Sequence, residues 1–102
     1  VTLGNEPVKV YAYDLSDNYP NPFNPSTQIN YGVEFSGDVS IVVYDMMGRE
    51  VKTLVSEHAT PGNYSVVWDA RNNQGLDVSA GIYIYKMISG DFVKVNKMML
   101  VK

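Results

Sequence analysis

The sequence predicts an all-β domain, an antiparallel sandwich of seven short strands. Three observations predict it. The 102 residues hold eight tyrosines, with frequent valine and isoleucine and sparse alanine and leucine. That mixture suits pleated, half-buried surfaces better than helices. No window repeats apolar residues at i, i+3, i+4 and i+7 for three turns, so no helix of useful length is expected. Short apolar runs alternate instead with clusters of Gly, Pro, Asn, Asp and Ser, at the spacing of about 8–12 residues that marks sandwiches. The length is that of one domain, since a single core organises about 100–200 residues.

The elements follow in order. Val1–Pro7 reads as a linker or ragged start. Val8–Leu15 is a first strand, ended by Ser16-Asp17-Asn18. The domain boundaries are 1–13 for linker and first strand, and 14–102 for a single β-sandwich that the first strand enters. Tyr19–Thr27 is rich in proline. Thr27–Phe35 alternates, with Ile29, Tyr31, Val33 and Phe35 on one face and Gln28, Asn30 and Glu34 on the other. Ser36-Gly37-Asp38 is a turn, and Val39–Tyr44 points Val39, Ile41 and Val43 inward. Asp45–Arg49 reads as a tight turn in which Gly48 supplies a positive φ. Glu50–Val55 is an irregular strand at an edge, and His58–Gly62 a loop. Asn63–Asp69 turns Tyr64, Val66 and Trp68 inward, and Ala70–Ala80 is a long polar loop. Gly81–Ile88 is apolar on both faces, as a central strand should be. Ser89-Gly90-Asp91 closes a hairpin to Phe92–Val101. The pattern is immunoglobulin-like in the broad sense. The core is expected to hold Ile29, Tyr31, Val39, Ile41, Val43, Val66, Trp68, Tyr83 and Tyr85. Trp68 is its anchor, burying on the order of 200 Å2.

Charge and composition exclude several classes. A net charge of −3 gives no basic footprint for nucleic acid. No apolar run approaches the roughly 18 residues of a transmembrane segment, and no charged-then-apolar leader opens the sequence. With no cysteine, disulfides, thiolate metal sites and a cysteine nucleophile are ruled out.

The segment Asn18-Tyr19-Pro20-Asn21-Pro22-Phe23-Asn24-Pro25-Ser26-Thr27 carries three prolines. Each fixes its own φ and drives the preceding residue, Tyr19, Asn21 or Asn24, out of the helical region. Three missing donors keep the segment out of a sheet interior. It is therefore a stiff irregular arm. Tyr19 and Phe23 are its natural anchors, and its asparagines can satisfy freed backbone groups through Asx-turns.

This string, followed by an alternating strand, resembles the opening of the C-terminal sorting domain of the type IX secretion system. The resemblance continues through Val39-x-Ile41-x-Val43-Tyr44-Asp45-x-x-Gly48-Arg49-x-Val51-x-x-Leu54, then Gly62–Asp69, then Ser79-Ala80-Gly81-Ile82-Tyr83-Ile84-Tyr85-Lys86-Met87. It ends at Lys97-Met98-Met99-Leu100-Val101-Lys102 and covers roughly residues 14 to 102. Trp68-Asp69-Ala70-Arg71-Asn72-Asn73-Gln74-Gly75 followed by Gly81–Tyr85 is similar, in turn, to the Ig-like domain of flagellar hook-capping proteins. Both families imply a β-sandwich. The proline arm and the Lys-Met ending favour sorting, whereas the long Trp-Asp loop is closer to the hook-capping pattern.

The sorting resemblance implies a non-catalytic signal following an upstream cargo domain. It would be read by the type IX translocon and removed by a sortase-like peptidase. The protein would be exported, at the outer-membrane surface or secreted. Recognition is expected in Tyr19, Pro20, Asn21, Pro22, Phe23, Asn24 and Pro25, in Gly48 and Arg49, and in Lys97, Met98 and Lys102. The alternative is an Ig-like structural spacer, or a surface-adhesion or carbohydrate-binding module.

No enzyme is expected. His58, the single histidine, sits beside Glu57 and Ser56, where a lone loop histidine is ordinarily solvated. One histidine cannot make a histidine metal pair, and no phosphate-cradling glycine loop or cofactor motif is present. Asp69, Asn72, Asn73 and Asp77 crowd one loop around Gly75, and oxygen ligands suit calcium. Their spacing is not that of an EF-hand, so an ordinary Asx-rich loop is preferred and no metal or cofactor is expected.

Overall fold

A computed structural model describes residues 10–102, preceded by the backbone of Thr2–Leu3 and Glu6–Pro7. The strands are β1 (Thr2–Leu3), β2 (Glu6–Pro7), β3 (Asp14–Leu15), β4 (Thr27–Val33), β5 (Gly37–Tyr44), β6 (Glu50–Ala59), β7 (Gly62–Trp68), β8 (Gly81–Ser89) and β9 (Phe92–Leu100). β1 and β2 pair with each other; the other seven form two antiparallel layers, ordered β3-β4-β7 and β6-β5-β8-β9. No helix occurs among the described residues. This is the seven-strand sandwich that the alternation and turn spacing predict.

The period-2 pattern builds the core directly. On β4, Thr27, Ile29, Tyr31 and Val33 are buried, and Gln28 and Asn30 are exposed. Val39, Ile41 and Val43 of β5 face them from the other layer, beside Tyr83, Tyr85 and Met87 of β8 and Met98 and Leu100 of β9. Register fixes the rest, with Ile29 opposite Val66 and Tyr31 opposite Tyr64. The Tyr31 and Tyr64 rings stack at 5.4 Å. Burial raises the Tyr31 and Tyr85 phenols above their ordinary range. The Tyr85 hydroxyl still finds a partner, donating to the Ser16 carbonyl at 2.7 Å.

Several expectations need correction. The first strand is only Asp14–Leu15 of the predicted Val8–Leu15; residues 10–13 lie outside any strand, and Val8 and Lys9 lie outside the described residues. Within Val1–Pro7 the described backbone forms the β1–β2 ladder, and Val1, Gly4 and Asn5 also lie outside the described residues. β4 stops at Val33, so Phe35 leaves the alternation and is 65% exposed. It lies edge-on to Tyr13 at 6.4 Å, and the Tyr13 ring stacks on Phe92 at 5.3 Å. Val66 is half-buried because β7 is the edge of its sheet. β6 is an edge strand, as predicted, but it runs on to Ala59 with register shifts opposite Ile41/Val42 and Val43/Tyr44. His58 therefore sits on a strand, opposite Asp38.

Two glycines mark opposite situations. Gly32 is buried against the incoming chain, and a Cβ there would overlap the Ala12 carbonyl oxygen. Gly37 has open space where its Cβ would be. Gly32→Ala is expected to lower stability by about 1–3 kcal/mol, the usual result of overpacking, and Gly37→Ala to melt close to the parent. A Gly32→Ala protein as stable as the parent would mean that the segment before β3 can lift away freely.

Candidate recognition surface

The arm does not hang free. Its backbone is pinned at both ends, although all three X-Pro bonds are cis. Tyr19 exchanges two hydrogen bonds with Gln28, each 2.9 Å. Further along, the Phe23 N–H donates to the Met99 carbonyl at 3.0 Å, and the Val101 N–H donates to the Phe23 carbonyl at 3.0 Å. The Asn21 side-chain oxygen accepts from the Met99 N–H at 3.0 Å. The prolines prevent a continuous ladder, so the arm spends its remaining donors on single bridges to β4 and β9.

Side chains complete the docking. Phe23 is 1% exposed and packs on Trp68 with ring centroids 5.7 Å apart. Trp68 meets Tyr83 edge-on at 5.3 Å, and its indole N–H donates to the Arg71 carbonyl at 2.9 Å. Phe23 is thus an anchor, as expected. Tyr19 is not: at 81% exposure its ring stands in solvent, because the two-way bridge to Gln28 places it on the outer side. Asn21 bonds a distant strand rather than its own turn, so the Asx-turn expectation fails there. Asn24 and Pro25 are exposed and line a groove with Lys102.

Two residues at the ends of the segment, for which the sequence predicts no mutual contact, hold the arm's entry. Buried Asn18 donates through Nδ2 to Thr27 Oγ1 at 3.0 Å and to the Pro20 carbonyl at 3.2 Å. Thr27 Oγ1 donates to the same carbonyl at 2.9 Å. The signal was present: polar residues flank three prolines, and the freed carbonyls need donors. Nothing in the sequence pairs residues 18 and 27 across the arm, however.

The arm and the last strand, separate motifs in the chain, therefore form one surface. Asn21 and Pro22 share a shallow groove with Ile82, Lys97 and Met99. Met98 faces the other way, 2% exposed and in the core. One strand inward, a second groove is lined by Gly48 with Tyr44, Ile84, Lys86 and Val95. Tyr44 lies opposite Ile84, and Ile84 opposite Lys97. The Gly48–Arg49 turn and the arm thus border the same outer face of the four-stranded sheet.

That turn is built by Asp45. Its carboxylate accepts from the Met47 and Arg49 N–H groups at 2.9 and 3.0 Å and from Arg49 Nε at 2.8 Å. Gly48 takes φ 82°, as predicted. The Arg49 backbone hydrogen bond, then the Arg49 side chain and the Met47 bond, hold the Asp45 carboxyl below its ordinary value. A depressed native pKa stabilises the charged form. The contribution is complete above the unfolded value of about 3.9, and it is lost as the pH falls through the lower native value. In an NMR titration the Met47 and Arg49 amide shifts are expected to stay flat to about pH 4 and to move only below it. Movement centred above pH 4 would show that these bonds do not hold the carboxylate.

Three of the four calcium candidates, Asn72, Asn73 and Asp77, are otherwise engaged. Asn72 Oδ1 accepts from the Gln74 and Leu76 N–H groups, each at 3.0 Å. Asn73 Oδ1 accepts from the Thr53 N–H at 3.0 Å, tying the loop to the β6 edge. Asp77 faces Arg71 at 3.4 Å, and Asp69 shares its groove with Arg71 and Lys102. Among the described residues, no three His, Asp or Glu side chains gather as a metal-binding group. At the far end of the molecule Asp38, Ser40, Ser56 and His58 share one groove. His58 Nδ1 stands 3.7 Å from Asp38 Oδ1, with the Asp38 side chain 99% exposed. No hydrogen bond joins His58 to either serine among the described residues.

Two antiparallel layers around one aromatic-centred core define an immunoglobulin-like β-sandwich domain. The family model of the FlgD Ig-like domain matches residues 24–91, two thirds of the chain, and the chain belongs to that family. Among solved structures, dimeric latent PorU from Porphyromonas gingivalis superposes with a TM-score of 0.72 at 18% identity, covering 94% of this chain and 10% of that one. PorZ, described as an essential bacterial surface component of the type-IX secretion system of the same organism, superposes with a TM-score of 0.54 at 18% identity, covering 86% of this chain and 11% of that one. The chain therefore spans about a tenth of the length of each. No curated protein matches the sequence. The family match fits the resemblance to the hook-capping Ig-like domain, and the two solved structures share the sandwich fold that both resemblances imply.

Proposed function

We propose that this domain is a non-catalytic sorting signal of the type IX pathway. In this reading it follows an exported cargo domain, is read by the outer-membrane translocon and is cut away by a sortase-like peptidase, leaving the cargo at the cell surface or secreted. The observation that carries the reading is the docking of the proline arm onto β9 through Asn21 and Phe23. It turns two motifs into one preformed surface, and a receptor that binds such a surface loses little ordering entropy. The architecture shared with PorU and PorZ supports it. Membership of the FlgD Ig-like family favours a second reading, an Ig-like structural spacer.

A reporter fused ahead of the domain in a type IX host separates the two. Deleting residues 97–102 is unsuitable, because Met98 and Leu100 are core. The double variant Lys97→Glu/Lys102→Glu changes exposed side chains and should melt like the parent. Sorting predicts a surface reporter with the parent domain and a periplasmic one with the variant. Equal surface delivery by both would remove the arm–strand surface from recognition. A parent fusion that stays periplasmic would put the spacer in its place.

A further inference from the structure

β9 is bonded to β8 along one side, and its other side is only partly used. In an antiparallel ladder the N–H and C=O of one residue point the same way, and the direction alternates along the strand. Met99 turns both groups away from β8, toward Asn21 and Phe23. The β8–β9 register runs without a shift from Ser89 opposite Phe92 to Gly81 opposite Leu100. Val93, Val95 and Lys97 therefore also aim their backbone groups away from β8. Among the described residues nothing bonds to them. The arm closes the edge at Met99 and Val101, and Asn96 ties the inner face of the strand to the Leu15 and Ser16 carbonyls, but the outward backbone groups of Val93, Val95 and Lys97 stay unbonded among the described residues.

The opposite edge of the same sheet is handled differently. There the Asn73 N–H donates to the Val51 carbonyl at 3.0 Å while Asn73 Oδ1 takes the Thr53 N–H, so the long loop covers part of β6. The open stretch of β9 has no proline or bulge; of the devices that blunt an edge it carries only lysine, at Lys94 and Lys97. Two of its three outward side chains are apolar, with Val93 57% and Val95 51% exposed, and the third is Lys97. Ile82 and Ile88, on the same outer face of β8, are 40% and 38% exposed; the central strand is apolar on both faces, as predicted, yet its outer face is not covered.

Charge adds a direction. Residues 81–102 hold Lys86, Lys94, Lys97 and Lys102 against Asp91, a net of +3 in a chain whose total is −3. Lys94 pairs with Asp14 at 3.2 Å, and Lys86 lies over the Tyr44 ring at 5.3 Å. Lys97 makes no ion pair among the described residues. It stands on the same face as Val93 and Val95.

We propose that the open edge at Val93–Lys97 accepts, by strand addition, an extended segment of a partner protein with apolar side chains opposite Val93 and Val95 and an acidic one opposite Lys97. Backbone bonds would supply affinity, and the alternate side chains specificity. A second copy suits the edge less well. Antiparallel β9–β9 pairing centred on Val95 would set Lys97 opposite Val93 and bring two hairpins of like charge side by side. The proposal goes beyond the sorting role and stands without it.

The test titrates the 15N-labelled chain with a capped heptapeptide, threonine alternating with valine, valine and glutamate. Saturable amide shifts are expected at Val93, Val95 and Lys97. The peptide with lysine in place of glutamate should bind about five-fold more weakly, the scale of an exposed charge contact. Lys97→Glu should reverse that preference. Val95→Pro removes an N–H that points outward, where an edge strand tolerates proline; it should melt near the parent and lose the binding. No saturable shift at these amides, or Val95→Pro binding as the parent does, would overturn strand addition. Movement of the same amides with the chain's own concentration, without peptide, would overturn the choice of partner in favour of a second copy.

Discussion

Trp68→Ala is expected to lower the stability of the domain by about 3–5 kcal/mol, the range for emptying a buried aromatic site. In a domain of about 100 residues that is a large part of the total, and the melting point should fall by more than about 10 °C. Trp68 is fully buried. It touches Phe23 at 5.7 Å and Tyr83 at 5.3 Å. Its loss also leaves the Arg71 carbonyl without its indole donor. That bond follows a backbone reversal at Ala70, which is held at φ 63°, a conformation disfavoured for a residue with a Cβ. Thermal unfolding followed by circular dichroism measures the shift. A variant melting within a few degrees of the parent would show that the core closes around the vacancy.

Phe23→Ala is expected to cost a similar amount, about 3–5 kcal/mol, and to do something that Trp68→Ala need not do. Phe23 is the side chain that seats the arm, and its own N–H and C=O bridge Met99 and Val101. Without the ring, the arm is expected to detach from β9. The Val101 and Met99 amides should then exchange with solvent faster than the rest of β9, and the arm around residues 19–26 should become open to proteases. Since Phe23 and Trp68 are in contact, the double variant should lose less than the sum of the two. Unchanged protection at Met99 and Val101 would mean that the backbone bridges and Asn21 hold the arm on their own. The same variant would then leave the reporter export described above intact.

The sequence by itself determined the sandwich class, most of the core and the turn at Gly48. Strict alternation at Ile29, Tyr31, Val39, Ile41 and Val43 can be satisfied only by strands with one buried face, and those residues are core. Gly48 and Gly90 take positive φ where the turns required it. The resemblance to type IX and hook-capping domains was also legible, because it rests on motifs that are local in the chain. Three things were decided only by the tertiary structure. The first is which arm aromatic is the anchor: Tyr19 and Phe23 look alike in sequence, and only the bridge to Gln28 sends one outward while the bridge to β9 sends the other in. The second is the union of arm and last strand, since Asn21 and Met99 lie 78 positions apart and no local rule pairs them. The third is the fate of the polar loop. Asn72 and Asn73 have the composition of an ion site, but their oxygens are taken by the loop's own N–H groups and by the β6 edge. Periodicity reports which face of an element is buried. Which elements share an edge depends on backbone groups that every residue carries alike, so side-chain identity leaves it unwritten.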